Sequence, residues 1–128
     1  MVYRIIPRLE RLGLIRATGE EQSSHGPVRS PVQATAAGRQ AAEQWMSIPA
    51  EHARDVRSEL MVKLALLDRA GSDPQPLLLA QQMQLGPIAA ALDSRVRSTT
   101  GPDHIAALWR HEAMDATMRF LAAMTSLD

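Results

Sequence analysis

Arg4 and Arg8 stand four residues apart near the start of the chain, a spacing that puts both guanidinium groups on one face of a helix. A guanidinium is a planar fork of donors that fits a phosphate or the O6 and N7 edge of guanine, so the pair has the chemistry of a DNA contact. The plainer alternative is a solvated face paired with Glu10 or other carboxylates. His25 and Arg29, in a polar tract further on, carry the same two readings: contact with a nucleic-acid backbone, or loop charges in water. A second group lies near the other end. His111 and Asp115 are spaced i,i+4 with Glu112 beside them, which is the spacing of a helical metal pair. No third convergent ligand is evident, and the second His of a zinc-protease helix is missing, so no metal or other cofactor is expected. Trp109 sits among small and aliphatic residues, where it can stack on a flat aromatic effector or simply fill an interface of Ala and Leu. Met114, Met118 and Met124 read as core padding. The chain has no G-x-S-x-G, no glycine-rich phosphate loop and no carboxylate pair with an evident role, and so it is not expected to be an enzyme.

The composition bounds what can position these residues. At 128 residues the chain can build one core, or a small head and an elongated helical tail. A hydrophobic share of 45% and a charged share of 22% are those of an ordinary globular protein, which points away from disorder. Ala, Leu, Met, Arg and Gln favour helix, and with only 3% aromatic residues the core must be aliphatic. No cysteine is present, which excludes disulfides and thiolate chemistry and fits a reducing cytoplasm. Arg4, Arg8 and Arg11 interrupt any signal-peptide core, and no apolar run approaches the roughly 20 residues of a membrane span, so a cytoplasmic protein without a membrane role is expected. The net charge of zero gives the whole molecule no pull on nucleic acid, and only the distribution of charge can support that partner.

Periodicity predicts a mainly helical chain with one small sheet. Tyr3 to Leu12 reads as an amphipathic helix with Ile5, Ile6, Leu9 and Leu12 on one face, a weak first turn at Pro7 and a stop at Gly13. Leu14 to Thr18 alternates like a strand, Gly19 through Pro31 is a polar loop, and Val32 to Thr35 is the return strand. Thr35 then caps a helix over Ala36 to Met46, which Pro49 ends. A helix from about Ala50 to Ala70 buries Val56, Leu60, Lys63, Leu64 and Leu67 and closes at Gly71. Asp73-Pro74 opens a long helix that Gly86-Pro87 should bend. After a turn over Ser98 to Pro102 the last helix runs from about Asp103 to Ser126, with Ile105, Leu108, Trp109, Ala113, Ala116, Phe120 and Met124 along one face. These two form an antiparallel hairpin whose apolar stripes call for a partner, most simply a second copy of the chain.

Several of these residues also form a pattern. Val2-Tyr3-Arg4, Arg8-Leu9-Glu10 and Gly13-Leu14-Ile15, followed by Thr35-Ala36-Ala37-Gly38-Arg39 and Trp45, resemble the signature of the PadR family of bacterial transcriptional regulators. Arg57-Ser58-Glu59-Leu60 with Lys63-Leu64 looks like the opening of that family's C-terminal region, and Met118-Arg119-Phe120-Leu121 like its close. The resemblance implies a winged helix-turn-helix over residues 1–47 and a helical dimerisation and effector region over residues 48–128. Its recognition helix enters the major groove, and a two-stranded wing touches backbone or minor groove. It implies DNA contacts from Tyr3, Arg4, Arg8, His25 and Arg29. Leu78, Leu85, Leu92, Leu108, Trp109 and Phe120 become the candidates for a dimer interface or an aromatic effector.

The family pattern also has roughly 35 to 40 further residues ahead of this point, the length of two short helices with connections. The winged helix is therefore expected to be partial, with Ile5, Ile6 and Leu9 deprived of their usual cover. The base-reading residues that precede the Tyr are absent, and Val32-Gln33-Ala34 has no aromatic to pack the wing. The implied function is a homodimeric DNA-binding regulator, by family habit a repressor. The alternative is a dimerisation module that does not bind DNA alone and pairs with full-length relatives.

Overall fold

The computed structural model describes residues 2–19 and 31–127, with Val2 and Tyr3 as backbone only. The chain is mainly helical, with a two-stranded antiparallel sheet and a C-terminal helical hairpin, in the order α1 (Val2–Arg11), β1 (Ile15–Ala17), β2 (Val32–Ala34), α2 (Ala36–Ser47), α3 (Ala53–Asp55), a π-helical turn (Val56–Leu60), α4 (Met61–Arg69), α5 (Gln75–Ser98) and α6 (Gly101–Thr125). It divides into two compact units, Met1–Trp45 and Met46–Asp128. Among the described residues no helix is long and apolar enough to cross a membrane.

In the N-terminal unit, α1 continues through Pro7 and ends where Gly13 adopts φ +72°, a backbone conformation that suits a residue without Cβ. The Leu14 amide reaches back to the Leu9 carbonyl and the Gly13 amide to that of Glu10, each at 3.0 Å, so two of the helix's orphan carbonyls are satisfied. β1 then pairs with β2 in the register Ile15 with Ala34, Arg16 with Gln33 and Ala17 with Val32. Thr35 joins the pieces. Its amide donates to the Leu14 carbonyl at 3.0 Å, and its hydroxyl donates to the Gly13 carbonyl at 2.6 Å while accepting from the Gly38 amide at 3.0 Å. One side chain thus caps α2 and ties it to the end of α1. Gly38 permits the approach, since a Cβ there would collide with the Leu14 carbonyl. Arg39 Nη1 donates to the Ala34 carbonyl at 3.1 Å. No described residue of this unit is fully buried.

The C-terminal unit has an enclosed core of Ala50, Val56, Leu60, Leu77, Leu78, Leu85, Met114 and Leu121. Residues 53–69 run as one helical stretch that turns Val56, Leu60 and Lys63 inward, the stripe the sequence predicts. This stretch begins three residues later than Ala50, because the Ala50 backbone is engaged elsewhere and His52 is extended at φ −117°, ψ 146°. Gln81, wholly buried, accepts from the Ala50 amide through Oε1 at 2.7 Å and donates from Nε2 to its carbonyl at 2.9 Å. Lys63, also buried, donates to the Ile48 carbonyl at 2.6 Å and lies 3.4 Å from Glu59. The segment after α2 is therefore fixed by two enclosed polar side chains whose polar atoms all have partners.

A Schellman turn at Gly71 (φ +68°) closes α4, with Ser72 reaching the Leu67 carbonyl at 2.9 Å. Asp73 Oδ1 accepts from the Gln75 amide at 3.0 Å and starts α5. Gly86-Pro87, where a bend is expected, lies inside a helix that continues from Gln75 to Ser98. Met83, whose carbonyl loses its donor to Pro87, is exposed, so water can take the donor's place. Gln75 Nε2 meets the Met124 carbonyl at 3.3 Å, Asp93 meets His111 at 3.0 Å, and His104 donates to the Val96 carbonyl at 3.1 Å. Rising numbers on α5 thus face falling numbers on α6, and the hairpin is antiparallel.

Candidate functional site

The elements bring together two surfaces with chemical potential, one in each unit. On α1, Arg4, Arg8 and Arg11 fall on one side of the helix at successive turns, all exposed. Among the described residues none of them takes part in an ion pair, so the solvated pairing with Glu10 that the sequence allows is not formed. The opposite side holds Ile6 and Leu9, half-buried, and Ile5 and Leu12, exposed at 54% and 60%. Beside α1, the sheet carries Arg16, whose Nη2 donates to Gln33 Oε1 across the strands at 3.4 Å. Tyr3 belongs to the first turn of α1. His25 and Arg29 lie outside the described residues, on the segment that joins β1 to β2.

The second surface lies on the C-terminal unit. Trp109 is 75% exposed and stands at a groove of about 630 Å³, whose walls include Arg54, Ile88, Leu92, Arg110 and Met114. The apolar face that the sequence gives α6 divides, with Phe120 and Met124 packed against the core and its N-terminal half turned outward. Ala107, Met114 and Leu121, seven residues apart, form the buried seam, with His104, His111 and Met118 partly covered beside them. Ile105, Leu108 and Trp109 point outward, as do Ala113 and Ala116. Of the six residues expected at a dimer or effector surface, Leu108 and Trp109 are exposed and Leu92 and Phe120 half-buried. Leu78 and Leu85 correct that expectation. Both are fully enclosed within the protomer's own core, because their face of α5 is the one that meets α6, and they present nothing to a second chain.

His111 and Asp115 do not converge. His111 donates from Nε2 to Asp93 Oδ1 at 3.0 Å and has Glu112 Oε1 3.4 Å from Nδ1, while Asp115 pairs with Arg119 at 2.6 Å. Asp93 also holds Arg97 at 2.7 Å. The hydrogen bond to Asp93 raises the His111 pKa against the opposing pull of burial, and the bonds from Arg97 and then His111 lower that of Asp93. The group is an interhelical ion-pair network. Among the described residues no cluster of three or more His, Cys, Asp or Glu is placed to hold a metal ion.

Sequence reasoning missed the backbone clamp of Gln81 and Lys63. A lone Lys inside an apolar stripe was its one visible sign. It also missed the arginines along the groove, since Arg54 and Arg110 come together only when residues 53–69 pack beside α6. No family model matches the chain. No curated protein matches it in sequence either.

Proposed function

We propose that the chain is a PadR-like DNA-binding transcriptional regulator that acts in the cytoplasm as a homodimer and represses by occupying its operator. The observation that carries this reading is the exposed face of Arg4, Arg8 and Arg11 on a helix that leads directly into a two-stranded hairpin. Helix, strand, strand and helix in that order match the second half of a winged helix-turn-helix, with α1 as the recognition helix and the β1–β2 hairpin as the wing. Three guanidinium groups at successive turns, without an ion pair among the described residues, suit a track of phosphates. The outward stripe of Ile105, Leu108 and Trp109 supports a second copy as partner, and the groove beside it supports a small effector, an aromatic one being the family expectation.

Gel shift of the purified chain on DNA from upstream of its own gene tests the reading. Binding should fall steeply with salt, and the double substitution Arg4→Ala with Arg8→Ala should weaken it and lower the salt slope by about 2. A dimer that shows no salt-dependent binding sinks the proposal. One observation favours a second reading. Exposed Ile5 and Leu12 leave the apolar side of α1 half open, as in a module that pairs with longer relatives and does not bind DNA alone. Retention of operator DNA only after mixing with a full-length relative would select that reading.

A further inference from the structure

Two recesses of the C-terminal unit share a wall. The first, of about 630 Å³, opens beside Trp109; the second, of about 450 Å³, continues toward the end of α5, and Ile88, Leu92 and Arg110 line both. Arg54 stands in the first and Arg95 in the second. From Ile88 to Ser98 the trough follows about 15 Å of helix. Its floor is apolar, and among the described residues no carboxylate lines either recess.

The three arginines differ from Arg97 and Arg119 in one respect. Arg97 and Arg119 each have an Asp four residues earlier and bind it, at 2.7 and 2.6 Å. Four residues before Arg54, Arg95 and Arg110 stand Ala50, Ala91 and Ala106, and among the described residues none of the three forms an ion pair. Along the trough, then, three cations stand without a carboxylate partner among the described residues. An apolar channel set with unpaired cations is complementary to a molecule with an apolar body and an acidic end. Trp109, with three quarters of its surface in water, has area to bury over such a body.

We propose that this trough binds a free single-chain amphiphile bearing a carboxylate or similar acid group. Its chain lies on Ile88, Leu92 and Met114, its head meets the arginines, and Trp109 closes over it. The proposal rests on the regulator reading for its consequence, since occupancy would be the signal that alters operator binding. The binding itself is measured without DNA, so a failed titration and a failed gel shift remain separate results.

The test titrates the full chain with dodecanoate, dodecanol and dodecyltrimethylammonium below their micelle concentrations. Trp109 fluorescence is read in a Trp45→Phe background and heat of binding in the unsubstituted chain. Dodecanoate should saturate at one per chain, dodecanol should bind about tenfold more weakly for want of the charge-assisted bonds, and the cationic probe should not bind. Arg110→Ala and, separately, Arg54→Ala should each weaken dodecanoate while leaving the circular dichroism and the dodecanol affinity unchanged. Equal affinity for dodecanoate and dodecanol overturns the proposal. So does Trp109 already shielded from acrylamide in a dimer that takes up no dodecanoate, which would seat a second copy here. Association with phosphatidylglycerol vesicles in place of free dodecanoate overturns it as well, in favour of a membrane surface.

Discussion

The two units hold themselves together by different means. In the N-terminal unit the organising groups are a hydroxyl, two glycines and a handful of backbone amides. Thr35 ties α2 to Gly13 and Leu14, Gly38 lets α2 approach the Leu14 backbone, and no described side chain is fully enclosed. The C-terminal unit encloses eight core residues and sets two buried polar side chains, Gln81 and Lys63, against the backbone of Ala50 and Ile48. A unit held by partly exposed hydrogen bonds opens locally at small cost, whereas one held by enclosed apolar volume opens only as a whole. The contrast suits a small surface-presenting element joined to a stable platform.

Substitutions can break or sharpen this contrast. Leu85→Ala should cost about 2 to 5 kcal/mol by urea denaturation, because it empties volume in a fully enclosed core. Leu9→Ala, on the half-buried side of α1, should cost clearly less, and an equal loss at the two sites would break the comparison. Next in size, Gln81→Leu strands the Ala50 amide and carbonyl in the core and should destabilise by about 2 to 4 kcal/mol, although the new side chain is more apolar. Gly38→Ala drives a methyl group into the Leu14 backbone and should cost about 1 to 3 kcal/mol, confined to the N-terminal unit. Hydrogen exchange should locate the loss over β1, β2 and the start of α2, and exchange rising equally in α5 and α6 would refute that confinement.

The smallest effect concerns the pair between Asp93 and His111. His111 has its pKa raised above its ordinary 6.5, so its contribution is complete below that value and is lost as pH climbs through the raised one. Asp93 has its pKa lowered beneath 3.8, so its contribution is present above that value and is lost as pH falls through the lowered one. The two conditions overlap between pH 3.8 and 6.5. The melting temperature of the unsubstituted chain should exceed that of His111→Gln most in this window and converge with it in alkaline buffer. A gap that widens with rising pH would contradict the assignment.

Local signals in the sequence were legible where a short stretch carries its own reason. Gly13 and Gly71 stop helices because each takes a positive φ, and Thr35 reads as a cap because the chain turns helical right after it. The inward stripe of Val56, Leu60 and Lys63 follows from period alone. The start of the helical stretch at Ala53 could not be read, since it depends on Gln81, thirty-one residues away, occupying the Ala50 backbone. The unbroken course of α5 through Gly86-Pro87 depends on solvent reaching Met83. On the candidate surfaces, the helical spacing of Arg4, Arg8 and Arg11 was visible, but the trough arginines were not, because they come from separate segments.

By itself the sequence determined where most helices and strands form, which residues cap them, and that the chain carries more apolar helix surface than one hairpin needs. Capping, backbone conformation and hydrophobic period act within a few residues and need no partner to be read. Tertiary structure alone decided which apolar face of α6 turns inward. Two such faces lie side by side on that helix, and the choice of Ala107, Met114 and Leu121 over Ile105, Leu108 and Trp109 follows from how small and flexible side chains pack against α5. Tight packing there leaves the larger indole in water, at the edge of the trough.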